Sequence, residues 1–215
     1  LIVSILSTDT PGSTTVARDT VYATLMIVLN GVVGLCLISG GWRHREQAFR
    51  IEGAAAALAV LGTLATLALI LPNFTRAVHG PYYAPVQLGV IGVASLALYV
   101  VFVFVQTVRH RDYFVGTAPL ADAGDPVPSG MVASLSLVLL LLSLTAVILL
   151  AKAISKPIET LILSAGLPQG FLGVVIAALV LLPEGIASVR AALANQLQNS
   201  INLALGSAIA SIGLT

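Results

Sequence analysis

The sequence predicts an all-α protein, a polytopic transmembrane helical bundle, and three observations support that fold class. Only 9% of the 215 residues are charged, whereas 58% are hydrophobic. Soluble globular domains average about 25% charged residues, so this chain could not cover a soluble surface. Apolar runs of about 20 residues, the length that crosses a bilayer, recur along the chain. The formal net charge of +1 and the absence of a block of like charges exclude nucleic acid as a partner and leave the lipid bilayer.

The first two thirds of the chain contain four apolar runs long enough to span a membrane. They predict spans at about 17–40, 51–72, 86–108 and 130–151. The connections between these runs are short and carry most of the charge. They fall at 41–50, 73–84, 109–129 and 152–157, and the longest of them is a solvated loop.

The remaining stretch predicts a broken helix followed by a further helix. Residues 157–167 form a mildly amphipathic segment, which we expect near the membrane interface, and an apolar run follows at 171–182. Pro183 then removes a backbone N–H, so we expect a kink that frees carbonyl groups. A last helix is predicted to begin around 196–199.

The distribution of Lys and Arg predicts an orientation. Six basic residues lie on one side of the predicted bundle, which we call the arginine-rich face: Arg43, Arg45, Arg50, Arg109, Arg111 and Arg190. The other side holds four: Arg18, Arg76, Lys152 and Lys156. Because cytoplasmic loops carry an excess of Lys and Arg, the arginine-rich face is predicted to be cytoplasmic.

Glu184 is the acidic residue that lies deep between two apolar runs. An ionised group in the bilayer costs about 2.5–3.5 kcal/mol on insertion scales unless it faces protein or water. A carboxylate beside freed carbonyls suits a hard cation, which prefers oxygen ligands, and a proton can neutralise the same group. The alternative is an ordinary first-turn acid at a helix boundary in the headgroup region.

The last predicted helix has one polar and one apolar half on a helical wheel. The polar half holds Asn199, Ser200, Asn202, Gly206, Ser207, Ala210, Ser211 and Gly213. The apolar half, expected to face lipid, holds Ile201, Leu205, Ala208, Ile209 and Ile212. The polar half, on which Asn199 and Asn202 lie, favours a polar pathway lined by amide and hydroxyl side chains. The alternative is close helix packing with interhelical amide bonds.

The helix at 17–40 has a related character, since Asp19 and Asn30 share one of its faces. A shift of 176 residues aligns Asn30-Gly31 with Gly206-Ser207, and the two helices start on opposite sides of the membrane. Such a pair is typical of an inverted repeat, in which an ion site lies between the two halves. Asp19 is therefore a candidate for that site, or else an interfacial acid at a helix start.

These features divide the chain into three parts. Residues 1–40 are part of a first repeat, 41–151 are connecting transmembrane helices with the solvated loop 109–129, and 152–215 are a second repeat truncated at its C-terminal end. Residues 1–7 resemble the last two turns of an apolar helix, and Thr215 interrupts another helix. We therefore expect an internal piece of a longer transporter, incomplete at both ends.

No motif in the sequence predicts an enzyme or a resident cofactor. No spacing of His with a carboxylate suggests a zinc site, and no Ser in a span is paired with a His. Cys36 is the single cysteine, which excludes a disulfide framework. Glu159 lies in the segment expected at the interface, with a gating role as its alternative.

The segment 183–208 resembles the second α-repeat motif of the calcium/cation antiporter superfamily. In the cation/proton exchanger branch that motif has a glutamate and, 22 positions later, a Gly-Ser pair; Glu184 and Gly206 have this separation. The resemblance implies that Glu184 and Ser207 contribute oxygens to a cation site. The family context Gly-Asn-Ala-Ala-Glu reads Leu182-Pro183-Glu184 here, which leaves the preferred cation open.

Other segments extend the resemblance over the whole chain. Residues 17–22, 40–47 and 71–74 look like the bacterial calcium/proton antiporters. The first-repeat glutamate of that family would fall just before Leu1, and Asn30 is the nearest candidate for its Gly-Ser pair.

The resemblance implies secondary transport in a bacterial inner membrane by a multi-pass protein. The expected activity is the exchange of a cation, calcium in the first place, for protons that compete for the same carboxylate. Three alternatives stay open: sodium or potassium as the exchanged cation, a cation channel without proton coupling, and a structural membrane subunit. A homo-oligomer is also compatible with the sequence.

Overall fold

The computed structural model describes residues 13–78, 82–115, 129–168 and 170–213, and every regular element in these ranges is helical. The α-helices are α1 Ser13–Met26, α2 Val33–His44, α3 Ile51–Ala65, α4 Pro85–Phe104, α5 Arg111–Phe114, α6 Gly130–Ser164, α7 Gly170–Leu193 and α8 Leu197–Gly213. Three π-helical segments continue the α-helices: π1 Ile27–Val32, π2 Thr66–Ile70 and π3 Val105–Arg109. A 3-10 turn, Leu71–Phe74, ends the second rod.

Five helical rods are long and apolar enough to cross a membrane. They are Arg18–His44, Ile51–Phe74, Pro85–Arg109, Gly130–Val147 and Gly170–Leu193. The predicted all-α transmembrane fold and its four spans are therefore confirmed. The fifth rod, α7, runs through the stretch for which the sequence predicts a break.

The connection predicted at 152–157 is wrong. Helix α6 continues from Gly130 to Ser164 with Pro157 inside it. A proline removes only one hydrogen bond, and apolar helices in membranes tolerate that loss. The helix ends instead after Ser164, where Gly166 turns the chain. Its φ of +70° is the left-handed conformation that glycine adopts freely. The N–H of Leu167 then donates to the carbonyl of Ile162 at 3.0 Å, which completes the C-terminal cap.

The break predicted at Pro183 is also wrong, because α7 is continuous from Gly170 to Leu193. Glu184 therefore lies within a helix rather than at a helix boundary. Pro183 still offers no N–H to the carbonyl of Leu179, one turn earlier.

A tight turn joins α7 to α8. Asn195 has a φ of +61°, a left-handed conformation that Asn tolerates better than most residues. The N–H of Gln196 donates to the carbonyl of Ala191 at 2.9 Å and closes α7. Helix α8 begins at Leu197, within the range predicted from the sequence.

The chain divides into two compact units, Leu1–Thr20 with Ala118–Ile176, and Val21–Thr117 with Ala177–Thr215. In the second unit α8 is the central element, since it contacts α2, α3, α4, α5 and π1. The wheel's apolar half, expected to face lipid, is buried instead, and Ala208 and Ile209 are fully covered. The prediction failed because apolar side chains in a membrane protein can face lipid or protein.

In the first unit, the start of α7 lies against the backbone near Asp19. A Cβ placed on Gly173 would come within 2.9 Å of the Thr20 backbone nitrogen. The absence of a side chain at Gly173 therefore allows this close approach.

Candidate functional site

Helix α7 carries Glu184 in its second half, nine residues before its last residue, Leu193. At about 1.5 Å per residue, this is about 14 Å from the helix end. The Glu184 side chain is half-buried, and its Oε2 is buried without a hydrogen-bond partner among the described residues. Gly185 next to it faces π1, with the Val32 side chain 3.6 Å from the position of a Cβ.

Two serines, one on α7 and one on α8, are fully buried, and neither is a site residue predicted from the sequence. Ser188 and Ser200 are each 0% exposed, and neither Oγ has a hydrogen-bond partner in the described part of the chain. Ser188 follows Glu184 by one helical turn, so the two share a face of α7. The Glu184–Ser188 spacing of four residues is the sequence signal that could have identified it.

Ser200 faces the thiol of Cys36 on α2. Cys36 is a free cysteine and is 1% exposed. A thiol is a weak hydrogen-bond donor and acceptor, so the Ser200 hydroxyl still lacks a strong hydrogen-bond partner.

Asn202, one of the predicted site residues, uses both ends of its amide, one in a hydrogen bond to another helix and one within α8. Its Nδ2 donates to the carbonyl of Phe114 at the end of α5. Its Oδ1 accepts a 3.0 Å hydrogen bond from Nε2 of Gln198. This pattern agrees with the alternative in which Asn202 stabilises helix packing.

The other predicted polar residues of the last helix and of the helix at 17–40 are more exposed. Asn199 is exposed, and its Nδ2 donates to Oε1 of Gln196 at 3.2 Å. Ser207 is half-buried. Asn30 is exposed within π1, and its Nδ2 donates to the carbonyl of Met26 at 3.3 Å.

Asp19 lies near the first turn of α7. Its Oδ2 is 3.4 Å from the position that a Cβ on Gly170 would take. The positive end of the helix dipole favours an acid at this position, which agrees with the interfacial alternative. Glu184 comes more than three turns later on the same helix.

Side-chain hydrogen bonds tie the end of α2 and the connection after it to the end of α7 and to the turn before α8. Nε2 of His44 donates to the carbonyl of Leu193 at 2.8 Å, which places a proton on that nitrogen. Nε2 of Gln47 donates to the carbonyl of Ala192 at 2.7 Å and to Oδ1 of Asn195 at 3.2 Å. The ends of α2 and α7 therefore lie on one side, together with the arginine-rich connection.

The start of α3 joins the same side through a side-chain cap. The backbone N–H of Arg50 donates to Oε1 of Gln198 at 2.6 Å, so α8 also starts there. Helices α2 and α8 consequently run in opposite directions, as the sequence predicts for its two polar helices.

At the other end of α3, three side chains satisfy the carbonyls that π2 leaves free. The hydroxyl of Tyr83 donates to the carbonyl of Leu67 at 2.5 Å, and that of Tyr22 to Leu69 at 3.2 Å. Nδ2 of Asn73 also donates to Leu69, at 2.8 Å. Burial raises the pKa of Tyr83, which lies outside the membrane spans.

Helix α7 thus carries one carboxylate and one buried hydroxyl a turn apart, and α8 carries a second buried hydroxyl that faces Cys36. In the described ranges, no three His, Cys, Asp or Glu side chains converge as a metal cluster would. One carboxylate with neutral oxygens can hold a hard cation that binds and leaves.

The chain matches the sodium/calcium exchanger protein family over residues 1–108 and 135–215. It is 57% identical over 217 residues to the protein y4hA of Sinorhizobium fredii (strain NBRC 101917 / NGR234), whose name describes an ionic transporter. It is 34% identical over 218 residues to the sodium-potassium/proton antiporter ChaA of Escherichia coli (strain K12). Each comparison covers 100% of this chain, and the chain spans 59% of the length of each relative.

Proposed function

Because the chain belongs to the sodium/calcium exchanger protein family, we propose that it forms part of a cation/proton antiporter in which Glu184 binds both ions in turn. The observation that carries this proposal is the buried, unpaired Oε2 of Glu184 within a continuous membrane helix. Membership of this family also makes the chain part of a multi-pass transport protein of the membrane.

Competition between the two ions follows from the surroundings of Glu184. A buried carboxylate without a partner is costly in its ionised form. Either a proton or a cation removes that cost, and binding of one displaces the other. One ion is therefore released whenever the other is taken up, which is the basis of obligatory exchange.

The further oxygens of the site are proposed from residues of the two polar helices. Ser207 is the residue that the family motif assigns, and Asn199 shares its half of α8. Asn30 and Asp19 remain candidates from the first repeat. Asn202 would have to release Gln198 before its Oδ1 could bind a cation.

The proposed substrate class is calcium, sodium and potassium. Calcium follows from the resemblance of the motif segments to calcium/proton antiporters. Sodium and potassium follow from the name of ChaA, which is 34% identical to this chain. All three are hard cations that prefer oxygen ligands.

The test measures proton flux in everted membrane vesicles that contain the protein expressed at full length. Calcium, sodium or potassium chloride is added, and a pH-sensitive dye reports proton movement. We expect Glu184→Gln to abolish the flux, since the amide cannot exchange a proton for a cation. Glu46→Gln, at an exposed acid in the connection after α2, is the matched control and should retain the flux.

Survival of the flux in Glu184→Gln at every pH would refute the proposal. The channel alternative predicts cation flux that does not depend on a pH gradient. The structural-subunit alternative predicts that Glu184→Gln leaves all ion flux unchanged.

A further inference from the structure

The three buried side-chain polar atoms that lack a hydrogen-bond partner in the described ranges are Glu184 Oε2, Ser188 Oγ and Ser200 Oγ. An unpaired buried hydroxyl costs about 1–3 kcal/mol. Helices can usually avoid this cost, because a serine hydroxyl can donate to the carbonyl four residues earlier. Two such hydroxyls, one of them a helical turn from the Glu184 carboxylate, are therefore available to bind a water or an ion.

Helix α2 relates the two serines to each other. Val32, just before α2, faces Gly185 on α7, and Cys36 faces Ser200 on α8. Val32 and Cys36 are four residues apart and lie on one helical face. Both are buried, at 8% and 1% exposed. Ser188, about one turn after Gly185, and Ser200 therefore lie against the same stretch of helix.

The depths of these groups place the hydroxyls between Glu184 and the arginine-rich face. Ser200 follows the first residue of α8 by three positions, or about 4–5 Å of rise. Ser188 precedes the last residue of α7 by five positions, or about 7–8 Å. Glu184 lies about 14 Å from the same helix end. Outside Ser200, the amides of Gln196 and Asn199 are exposed.

We propose that Ser188, Ser200 and Cys36 line the passage through which water and the transported cation reach Glu184 from the arginine-rich face. This inference rests on the proposed role of Glu184 as the ion-binding group. Each hydroxyl offers a donor and an acceptor to a passing water or ion. The opposite face of α8 is closed by apolar packing, in which Ala208 and Ile209 are fully covered.

The passage is closed in this structure, since all three lining side chains are 0–1% exposed. The hydrogen bonds from His44 and Gln47 to the end of α7 lie across its outer end. Opening on this side requires α7 to move away from α2, which would break these bonds.

Cys36, the single cysteine of the chain, provides the test. The protein is expressed at full length with any cysteine outside this chain replaced by alanine. A small cationic methanethiosulfonate reagent is then applied to vesicles of either orientation. We expect Cys36 to be labelled from the arginine-rich face, and Ser188→Val to slow that labelling several-fold by removing the hydroxyl and narrowing the passage.

The matched control places the thiol in apolar packing at a similar depth of burial. Ala57 on α3 is 3% exposed, so Cys36→Ala with Ala57→Cys should leave the thiol unlabelled. The passage is refuted if Cys36 reacts no faster than this control thiol, or if it reacts only from the opposite face. The side from which Cys36 is labelled is measured with the passage residues unchanged, so that result does not depend on whether Ser188→Val or the control variant folds.

The result of the Cys36 labelling test can be distinguished from the result of the Glu184→Gln flux test. Flux that survives Glu184→Gln, with Cys36 labelled from the arginine-rich face, would refute the role of Glu184 and keep the passage. Loss of flux in Glu184→Gln, with Cys36 unlabelled, would keep the ion-binding group and refute the passage.

Discussion

The side-chain amide of Gln47 donates a 2.7 Å hydrogen bond to the backbone carbonyl of Ala192, 145 residues further along the chain. The acceptor is one of the last carbonyls of α7, which have no partner within their own helix. Gln47 thus caps α7 from the connection that follows α2.

Gly40→Ala should break this cap. A methyl group at position 40 would overlap the end of the Gln47 side chain, which is flexible and would move away. The loss of its hydrogen bonds should lower the free energy of unfolding by about 0.5–1.5 kcal/mol each. The measurement is chemical or thermal unfolding of the purified protein in detergent. In a Gln47→Ala background Gly40→Ala should have little further effect, and an additive cost would contradict the contact.

Gly53→Ala should destabilise the protein more severely. A Cβ at position 53 would overlap the backbone carbonyl of Tyr113, and backbone cannot move away as a flexible side chain can. Overpacking of this kind costs about 1–3 kcal/mol. Gly62→Ala on the same helix is the control, since nothing lies within 4 Å of its Cβ position. It should be neutral or slightly stabilising, because Ala favours a helix more than Gly does.

Asn195→Ala should cost about 1 kcal/mol more than Asn195→Gly in unfolding experiments, because both variants lose the hydrogen bond from Gln47 and only alanine adds backbone strain. The reason is the left-handed conformation at φ +61°, which glycine adopts without strain and alanine does not. Equal stability of the two variants would show that the turn does not require this conformation.

Asn202→Ala should affect stability more than cation affinity. The substitution leaves the Phe114 carbonyl and the Gln198 amide without their partner, at a cost of about 1–3 kcal/mol. Cation competition with proton flux should remain close to that of the unchanged protein. A large loss of apparent affinity with unchanged stability would instead make Asn202 a cation ligand.

Tyr83 should make stability sensitive to alkaline pH. Because burial raises its pKa above the ordinary value of about 10, the folded protein favours the neutral phenol. Its contribution is fully present below about pH 10 and is lost as the pH rises through the higher folded-state pKa. Tyr83→Phe removes the hydrogen bond to Leu67, so it should lower stability at neutral pH and flatten the alkaline decline in a thermal-unfolding series.

Hydropathy was sufficient to predict the first four spans, because the length of an apolar run is set by the thickness of the bilayer. It could not predict the course of the chain at Pro157 and Pro183, where helices continue despite a missing N–H. A proline marks a lost hydrogen bond, and the surroundings decide whether the helix ends there.

The candidate site could be predicted only in part. Glu184 is visible in the sequence because a lone acid in an apolar run is costly. The spacing of four residues between Glu184 and Ser188 is a weaker signal, since serines occur throughout the apolar helices. The wheel could not show that the apolar half of α8 is buried, nor that Ser200 of the polar half is buried with it.

The length of α6 has a consequence for the bilayer. A straight helix of 35 residues is about 52 Å long, whereas the hydrocarbon core is about 30 Å thick. Even a tilt of about 40°, the upper end of the range for membrane helices, leaves its projection near 40 Å. Part of a straight α6 would therefore lie among the headgroups or in water. We expect that part to be the helical segment around Pro157, because it carries the charged residues Lys152, Lys156 and Glu159.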